Sequence, residues 1–220
     1  MIIWRCYDSD FRQYARAQTR GDTTQGHPSV RLEDNQSIGL FGGSFNPAHA
    51  GHMHVAEAGL RELGLDRIWW LVSPQNPLKP RQPSYASRAK TVRNLPLKPR
   101  MQISEAEQDI GSNYTIDLIR GLQQRYPLTR FVFLMGADNF AQLPRWKNWQ
   151  EIMARVPIAV IARPQSPIRA RLGQVARQYA DARIPEAQAH QLQFYSAPCW
   201  TYLTLPLHAQ SSSAIRAQTT

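Results

Sequence analysis

Cysteine is scarce in this chain: Cys6 and Cys199 are the two present among 220 residues, and they lie far apart in the sequence. They form no CxxC pair and no ligand set with zinc spacing, so no zinc site is expected. Runs of about 18 apolar residues are also missing, which argues against a membrane-spanning helix. The first ten residues, MIIWRCYDSD, lack a basic start followed by a long apolar stretch, so no secretory signal is expected. These absences are consistent with a reducing, cytoplasmic setting.

Acidic residues are few as well: 16 Asp and Glu stand against 26 Lys and Arg, for a net charge of +10. Three interpretations of this excess stay open, namely a solvated basic face, a site for a small anionic substrate, or a nucleic-acid surface. No aromatic interleaving or nucleic-acid motif supports the last of these. The segment 79–100 has no acid, and its basic residues are Lys79, Arg81, Arg88, Lys90, Arg93, Lys98 and Arg100.

Apolar strand patterns alternate with helical patterns from residue 37 onward, whereas residues 1–36 are polar and irregular. We therefore predict a flexible extension over 1–36 and a single domain over 37–220. The alternation predicts an α/β fold with a mainly parallel sheet and helices on both faces. Strands are predicted at 37–41, 68–72, 101–103, 131–135, 158–161 and 202–205, helices from about 51 to 63 and at 85–95, 114–125 and 168–180, and a polar loop at 105–113.

Ligands of such a sheet bind beyond the carboxyl ends of its strands. The segments 39–54, 73–79, 136–139 and 163–164 each follow a predicted strand, so they are expected to converge on one edge of the sheet. The first of them reads GLFGGSFNPAHAGHMH, and three of its glycines, Gly39, Gly42 and Gly43, let the backbone come close to a ligand.

Backbone N–H groups of Gly42–Phe45 can form a concave anion site, and the helix predicted to begin near Gly51 adds its positive end. His49 and His52 stand at this junction and can donate hydrogen bonds to phosphate oxygens. The segment is not a Walker A loop, because no Gly-Lys-Ser/Thr follows, and its glycines do not fit GxGxxG. The sequence therefore predicts a phosphate site built from main-chain amides and imidazoles.

The element SFNPAHAGH resembles the HxGH signature of the nucleotidyltransferase superfamily, and more narrowly the chain resembles bacterial nicotinate-nucleotide adenylyltransferases. The resemblance covers about residues 37–216 and implies a Rossmann-like nucleotidyltransferase fold. The matching segments are GLFGGSFNPAHAGH (39–52), SPQNPLK (73–79), NYTIDLI (113–119), GADNFAQLPRWKNWQEI (136–152), IARP (161–164) and SSSAIR (211–216).

Such enzymes join the phosphate of nicotinate mononucleotide to the α-phosphate of ATP, giving nicotinate adenine dinucleotide and pyrophosphate for NAD synthesis. The resemblance thus implies ATP and nicotinate mononucleotide as partners, without nucleic acid or membrane. Mg²⁺ would accompany ATP, held mainly by phosphate oxygens rather than by protein ligands. No covalent enzyme intermediate is expected, since the substrate phosphate is itself the nucleophile.

The resemblance also assigns roles to individual residues. His49, His52 and Arg216 would be catalytic, contacting the triphosphate as its charge develops. Asp138 would accept a ribose hydroxyl of ATP, or would cap a helix N-terminus. Ser213 stands where the family has Thr, a change that keeps the hydroxyl. The residues that would bind ATP are Gly42, Gly43, Ser44, Phe45, Lys79, Asp138, Arg163, Ser212 and Ser213.

The nicotinate ring requires an aromatic platform, and Trp146 resembles the stacking residue of the family. Thr115 and the backbone amide of Lys147 would bind the carboxylate, whereas Trp149 is expected to pack in the core. Alternatives stay open at this point: the nicotinamide nucleotide or phosphopantetheine could be the acceptor in the same fold. A basic nucleic-acid-binding protein using residues 79–100 is the alternative from a different class.

Overall fold

A seven-stranded sheet in which every pairing is parallel organises the residues described by the computed structural model, namely 34–73, 82–162, 171–204, 212 and 215–216. The strand order is β3-β2-β1-β4-β5-β7-β6. The strands are β1 Ser37–Gly43, β2 Arg67–Val72, β3 Met101–Ser104, β4 Arg130–Gly136, β5 Ile158–Ile161, β6 Arg183–Ile184 and β7 Trp200–Leu203.

Helices follow most of these strands. They are α1 Ala50–Glu62, α2 Tyr85–Arg93, α3 Ala106–Ile110, α4 Thr115–Arg125, α5 Ala137–Gln142, α6 Trp149–Arg155 and α7 Gln174–Gln178. Short 3₁₀ segments occur at Leu143–Arg145, Ala180–Ala182 and Glu186–Phe194.

Alternate residues of the strands belong to two separate apolar clusters, one on each face of the sheet. Ile38 and Leu40 of β1 belong to the cluster that includes buried side chains of α4 and α6. Phe41 belongs to the other cluster, together with buried residues of α1 and α2. Strands buried on both faces read as continuous apolar runs, which is how the sequence revealed them. The predicted α/β fold with helices on both faces is confirmed.

Gly39 serves packing rather than ligand approach, contrary to the expectation for Gly39, Gly42 and Gly43. A Cβ on Gly39 would lie 2.5 Å from Ile68 and 2.8 Å from Leu134 and Leu65, all apolar side chains. Gly59 of α1 is crowded by the same neighbours, with Leu134 at 2.5 Å. The two glycines therefore allow α1 to lie close against β1.

Three local expectations were wrong or displaced. The segment 105–113 is not simply a loop, because its first part folds as α3 and ends at Gly111 in the left-handed conformation, with φ 67°. The last strand, predicted at 202–205, begins instead at Trp200. Within the helix predicted over 168–180, the structure has α7 at Gln174–Gln178, and residues 168–170 lie outside the described part.

The predicted extension, 1–36, lies outside the described residues except for 34–36. Within that short stretch, the N–H of Asn35 donates to the carbonyl of Leu128 at 3.0 Å. The carbonyl of Gln36 accepts from the N–H of Arg130 at 2.8 Å. The backbone just before β1 is thus hydrogen-bonded to Leu128 and to Arg130, the first residue of β4. In the described ranges, no helix combines the length and apolarity needed to cross a bilayer.

Candidate active site

A cavity of about 390 Å³ opens at the carboxyl edge of the sheet, where β1 and β4 separate. Pairing of β1 with β4 ends at Phe41↔Leu134, whereas pairing with β2 continues to Gly43↔Val72. This is the point at which the strand order reverses, and crevices at such points are the usual ligand sites of open α/β sheets. The lining residues are Gly42, Gly43, Ser44, Ser73, Glu107, Asn113, Tyr114, Thr115, Phe133, Asn139, Arg145, Trp146, Lys147 and Ile152.

One end of the cavity, formed by Gly42, Gly43, Ser44 and Ser73, is called the glycine end below. A Cβ on Gly42 would lie 3.3 Å from the ring of Phe133, and one on Gly43 would lie 3.0 Å from the ring of Phe45. The absence of side chains thus keeps the main chain at the cavity wall and leaves room for two aromatic rings. The predicted main-chain site coincides with this end.

Phe45 has a positive φ of 46°, a conformation that a non-glycine residue adopts at a cost. Its side chain is almost fully buried and compensates through packing. The ring lies 5.4 Å from that of Phe41, 5.2 Å from that of Trp70 and 5.0 Å from that of His52, measured between centroids. Phe45 therefore anchors the loop in the core, a structural role beyond the one predicted for its amide.

His49 and His52 are both buried and together form the cap of α1. The Nδ1 of His49 accepts from the N–H of Gly51 at 3.1 Å, and the Nδ1 of His52 accepts from the N–H of His49 at 3.3 Å. Because Nδ1 is the acceptor in each ring, the proton of the neutral imidazole is assigned to Nε2. Capping thus fixes the tautomer that can donate through Nε2, so it is compatible with the predicted role of the two histidines as donors.

The buried side chain of Arg88, from α2, holds the main chain of the glycine end in place. Its guanidinium donates to the carbonyl of Ser44 at 2.7 Å, of Ser73 at 2.7 Å and of Pro83 at 3.0 Å. Thr91, one turn later, accepts through Oγ1 from the N–H of Ala48 at 3.0 Å. Burial lowers the pKa of Arg88, and the charge of Glu107 opposes that shift. The sequence did not indicate this role, because its charge placed Arg88 with the basic residues of segment 79–100.

Glu107, from α3, is a second residue of this site that no sequence motif indicated. Its side chain is nine-tenths buried and lines the cavity. Burial raises its pKa to about 7, while the positive charge of Arg88 acts in the opposite direction. A wall of the cavity therefore carries a carboxyl group that titrates near neutral pH.

The other end of the cavity, formed by Tyr114, Thr115, Trp146 and Lys147, is called the aromatic end below. Thr115 begins α4, and the half-buried ring of Trp146 lies 6.3 Å from that of Phe133. The Nζ of Lys147 lies 4.2 Å from the ring centre of Tyr114 and 3.6 Å from Oδ2 of Asp117. The three residues predicted for the pyridine nucleotide are thus brought together. Trp149 is buried in the core, as expected.

The C-terminal segment contacts the loop that precedes α1. Ser212 donates through Oγ to the carbonyl of Pro47 at 3.0 Å, and Arg216 donates to the carbonyl of Asn46. The second predicted signature therefore lies beside the first. Lys79, Arg163 and Ser213 fall outside the described residues, so the structure does not locate them.

Asp138 lies in the first turn of α5, where a carboxylate is favoured by the helix dipole. The alternative that it caps this helix was wrong, because the N-cap is Gly136. The following residue, Asn139, lines the cavity. Asp138 thus lies on the β4 side of the crevice, next to a lining residue.

The basic segment 79–100 does not form a uniform surface. Arg88 is buried, Lys98 pairs with Glu57 at 2.9 Å, and Arg93 lies 3.6 Å from Glu105. Lys79 and Arg81 lie outside the described residues. The interpretation as a solvated basic face is therefore wrong for Arg88.

Comparison with known proteins identifies the family. A family model described as Cytidylyltransferase-like matches residues 40–218. A protein of Cereibacter sphaeroides (strain ATCC 17023), named probable nicotinate-nucleotide adenylyltransferase, is 49% identical over 181 residues, covering 82% of this chain and 96% of that protein. A protein of Caulobacter sp. (strain K31) with the same name is 49% identical over 185 residues, covering 83% of this chain and 98% of that protein.

Solved structures with the same fold include nicotinic acid mononucleotide adenylyltransferase of Plasmodium falciparum, complexed with NaAD and with APC. The TM-scores are 0.63 and 0.61, at 16% sequence identity, and 83% of each chain is covered. At this identity the likeness concerns the fold. The long match of the family model and the high identity to the bacterial relatives show that the chain belongs to the cytidylyltransferase-like family, as its motifs predicted.

Proposed function

We propose that this protein is a nicotinate-nucleotide adenylyltransferase, which transfers the adenylyl group of ATP to nicotinate mononucleotide in NAD biosynthesis. The bacterial relatives that match most of the chain carry this name. The observation that carries the proposal is that one cavity is lined both by the main chain of the glycine end and by the side chains of the aromatic end. Such a cavity suits a nucleotide with a phosphate at one end and a flat ring at the other.

In the proposed reaction, a phosphate oxygen of nicotinate mononucleotide attacks the α-phosphorus of ATP. The new P–O bond forms as the bond from the α-phosphorus to the bridging oxygen breaks, and pyrophosphate leaves with the electron pair. The protein contributes by holding the reacting groups in line and stabilising the developing charge.

His49 and His52 are proposed to donate from Nε2 to the transferring phosphate, supported by the tautomer that the cap of α1 selects. Arg216 and Ser212 are proposed to meet the triphosphate, supported by their contacts with the loop at 46–47. The main-chain amides of 42–45 are proposed to bind phosphate oxygens. Asp138 is proposed to accept a hydrogen bond from a ribose hydroxyl of ATP. The roles of Lys79, Arg163 and Ser213 stay predictions.

At the aromatic end, Trp146 is proposed to stack on the nicotinate ring. Thr115 and the amide of Lys147 are proposed to donate to its carboxylate. This arrangement is supported by the presence of all three residues in the lining of one cavity. The first turn of α4 adds further amides, because its N-cap residue Tyr114 makes no side-chain capping bond.

A divalent cation accompanies ATP in nucleotidyl transfer, and we propose Mg²⁺ for this protein. Among the described residues there is no cluster of three or more His, Cys, Asp or Glu that could hold a metal. The cation is proposed to be carried mainly by the phosphate oxygens of the nucleotide, the common manner of Mg²⁺ binding. Mg²⁺ would supply charge neutralisation on the triphosphate.

The catalytic domain is proposed to span residues 37–220, supported by the family match over 40–218. A cytoplasmic setting also stays a prediction. The alternative of a nucleic-acid surface on residues 79–100 gains no support, because Arg88 and Lys98 are engaged with the protein itself.

The test is turnover of the purified protein with ATP, Mg²⁺ and either nicotinate or nicotinamide mononucleotide. We expect dinucleotide and pyrophosphate in equal amounts, with the nicotinate compound preferred. A reaction without Mg²⁺ serves as the control. Absence of turnover with both nucleotides would overturn the proposal, and preference for the amide would change the substrate.

A further inference from the structure

An oxygen of Glu107 lacks a hydrogen-bond partner although it is buried in the wall of the cavity. Its Oε2 exposes almost no surface and bonds to none of the described residues. Glu107 lines the same cavity as Gly43 of the glycine end and Thr115 of the aromatic end. A buried polar atom without a partner is costly, so its retention in a ligand cavity points to a partner that the ligand supplies.

The nearby cation does not supply that partner. Arg88 uses its N–H groups on the carbonyls of Ser44, Ser73 and Pro83. Its positive charge opposes the larger effect of burial, which raises the pKa of Glu107 to about 7. Above that pH the ionised carboxylate accepts hydrogen bonds and cannot donate them, so the partner it requires there is a donor.

The proposed substrate narrows the choice of donor. Nicotinate mononucleotide carries a carboxylate and a phosphate, which accept hydrogen bonds, and two ribose hydroxyls, which can donate. The ribose connects the ring to the phosphate, so in the proposed binding mode it lies between the aromatic end and the glycine end. Glu107 lines the cavity together with the residues of both ends.

We propose that Glu107 accepts a hydrogen bond from a ribose hydroxyl of the pyridine nucleotide and so selects ribonucleotides as acceptors. This inference rests on the proposed function and adds a substrate-binding residue to it. A hydrogen bond to a charged group contributes enough that its loss lowers affinity by about 10–100-fold. The 2′-deoxy or the 3′-deoxy form of the nucleotide should bind more weakly by that factor.

The experiment measures KM and Kd for nicotinate mononucleotide and for its 2′-deoxy and 3′-deoxy forms, with the wild type, Glu107→Gln and Glu107→Ala. Kd is measured by titration calorimetry without turnover. The matched control is Glu105→Gln, because Glu105 lies two residues away and pairs with Arg93 on the surface. Thermal unfolding checks that each variant is folded.

We expect one deoxy form to lose about 10–100-fold in affinity for the wild type and for Glu105→Gln. The same deletion should cost Glu107→Ala less than about threefold, since the acceptor is already gone. Glu107→Gln keeps an amide oxygen and should fall between them, so the inference can be tested even if the alanine variant does not fold.

Two outcomes separate the inference from the proposed function. If the wild type turns over nicotinate mononucleotide but both deoxy forms bind equally well, the role of Glu107 is overturned and the function stands. The same holds if the hydroxyl penalty persists unchanged in Glu107→Gln and Glu107→Ala. If the wild type uses neither nicotinate nor nicotinamide mononucleotide, the function is overturned and the inference falls with it.

Discussion

The two ends of the cavity are built in different ways. At the glycine end, buried side chains hold the main chain in place, and Arg88, Phe45, His49 and His52 are each no more than 7% exposed. At the aromatic end, the side chains themselves face the cavity, and Tyr114 is 41% exposed. A change at the glycine end should therefore affect folding and turnover together, whereas a change at the aromatic end should mainly affect affinity.

The largest effect is expected for Arg88→Met, which keeps the aliphatic stem and removes the guanidinium. The carbonyls of Ser44 and Ser73 lose a donor, and Glu107 loses its compensating charge. Breaking such a buried arrangement costs about 3–5 kcal/mol of unfolding free energy. The free energy of unfolding, measured by denaturant titration, and kcat should both decrease.

Arg93→Met is the matched control, because the Arg93 side chain is 54% exposed and lies 3.6 Å from Glu105. Its cost should stay within about 0.5 kcal/mol. If Arg88→Met were as stable and active as this control, the glycine end would not depend on buried anchoring.

His49 can be used to separate capping from catalysis. His49→Ala removes both the cap and the Nε2 donor, whereas His49→Asn keeps a good capping oxygen. Both variants should lose about 10²–10³ in kcat, by analogy with removal of one transition-state donor. His49→Ala alone should lose about 1 kcal/mol of stability. If His49→Asn were as stable as the wild type and kept a near wild-type kcat, the role of His49 would be purely structural.

Glu107→Gln should increase stability at alkaline pH. The raised pKa of Glu107, about 7 against 4.5, means that the folded state binds this proton more tightly than the unfolded state. Stability is therefore lost as pH rises through this window, by up to about 3 kcal/mol at pH 8. Glutamine carries no such charge and avoids that loss.

Thermal unfolding at pH 4.5 and at pH 8 measures this difference for wild type and Glu107→Gln. We expect the variant to melt higher at pH 8 and close to the wild type at pH 4.5. Glu105→Gln should show no such pH-dependent gain. Equal melting temperatures of wild type and Glu107→Gln at pH 8 would show that burial of the charge costs the protein little. The cavity would then have to be more hydrated than its geometry indicates.

Much of the glycine end could be predicted from sequence because its signals are local. The apolar run of β1, the Gly-Gly-Ser turn and the two histidines lie within residues 37–52. Arg88 could not be identified, because its acceptors at Ser44 and Ser73 are remote in sequence and formal charge does not reveal burial. Gly39 was misassigned for a related reason, since a glycine needed for packing has the same letter as one needed at a ligand.

The aromatic end shows a second limit. Its key residues were found through resemblance of motifs, since neither a lone tryptophan nor a threonine indicates a site by itself. Glu107 was missed because α3 has five residues, too few for a helical period to show. Helices α5 and α6 are also short, with six and seven residues, and no separate prediction covered them.

At the aromatic end, Trp146→Leu should raise KM for nicotinate mononucleotide by about tenfold with little change in stability. The loss reflects weaker stacking and a smaller apolar contact with the ring. Since Trp146 is only half-buried, the core should tolerate leucine. Steady-state kinetics with ATP saturating would measure the effect. A fall in kcat at unchanged KM would instead place Trp146 in the chemical step.

The smallest effect is expected for Lys147→Met, which tests whether a side-chain charge contributes to binding at the aromatic end. The proposed contact with the nicotinate carboxylate uses the backbone amide, while the ammonium is occupied by Asp117 and the ring of Tyr114. Surface ion pairs of this kind contribute about 0–1 kcal/mol, so KM should change by less than about threefold. A much larger rise in KM for the nicotinate nucleotide, absent with the nicotinamide nucleotide, would show that the ammonium itself recognises the carboxylate. Side-chain charge would then define the acid preference, and the aromatic end would differ from the glycine end in charge as well as in burial.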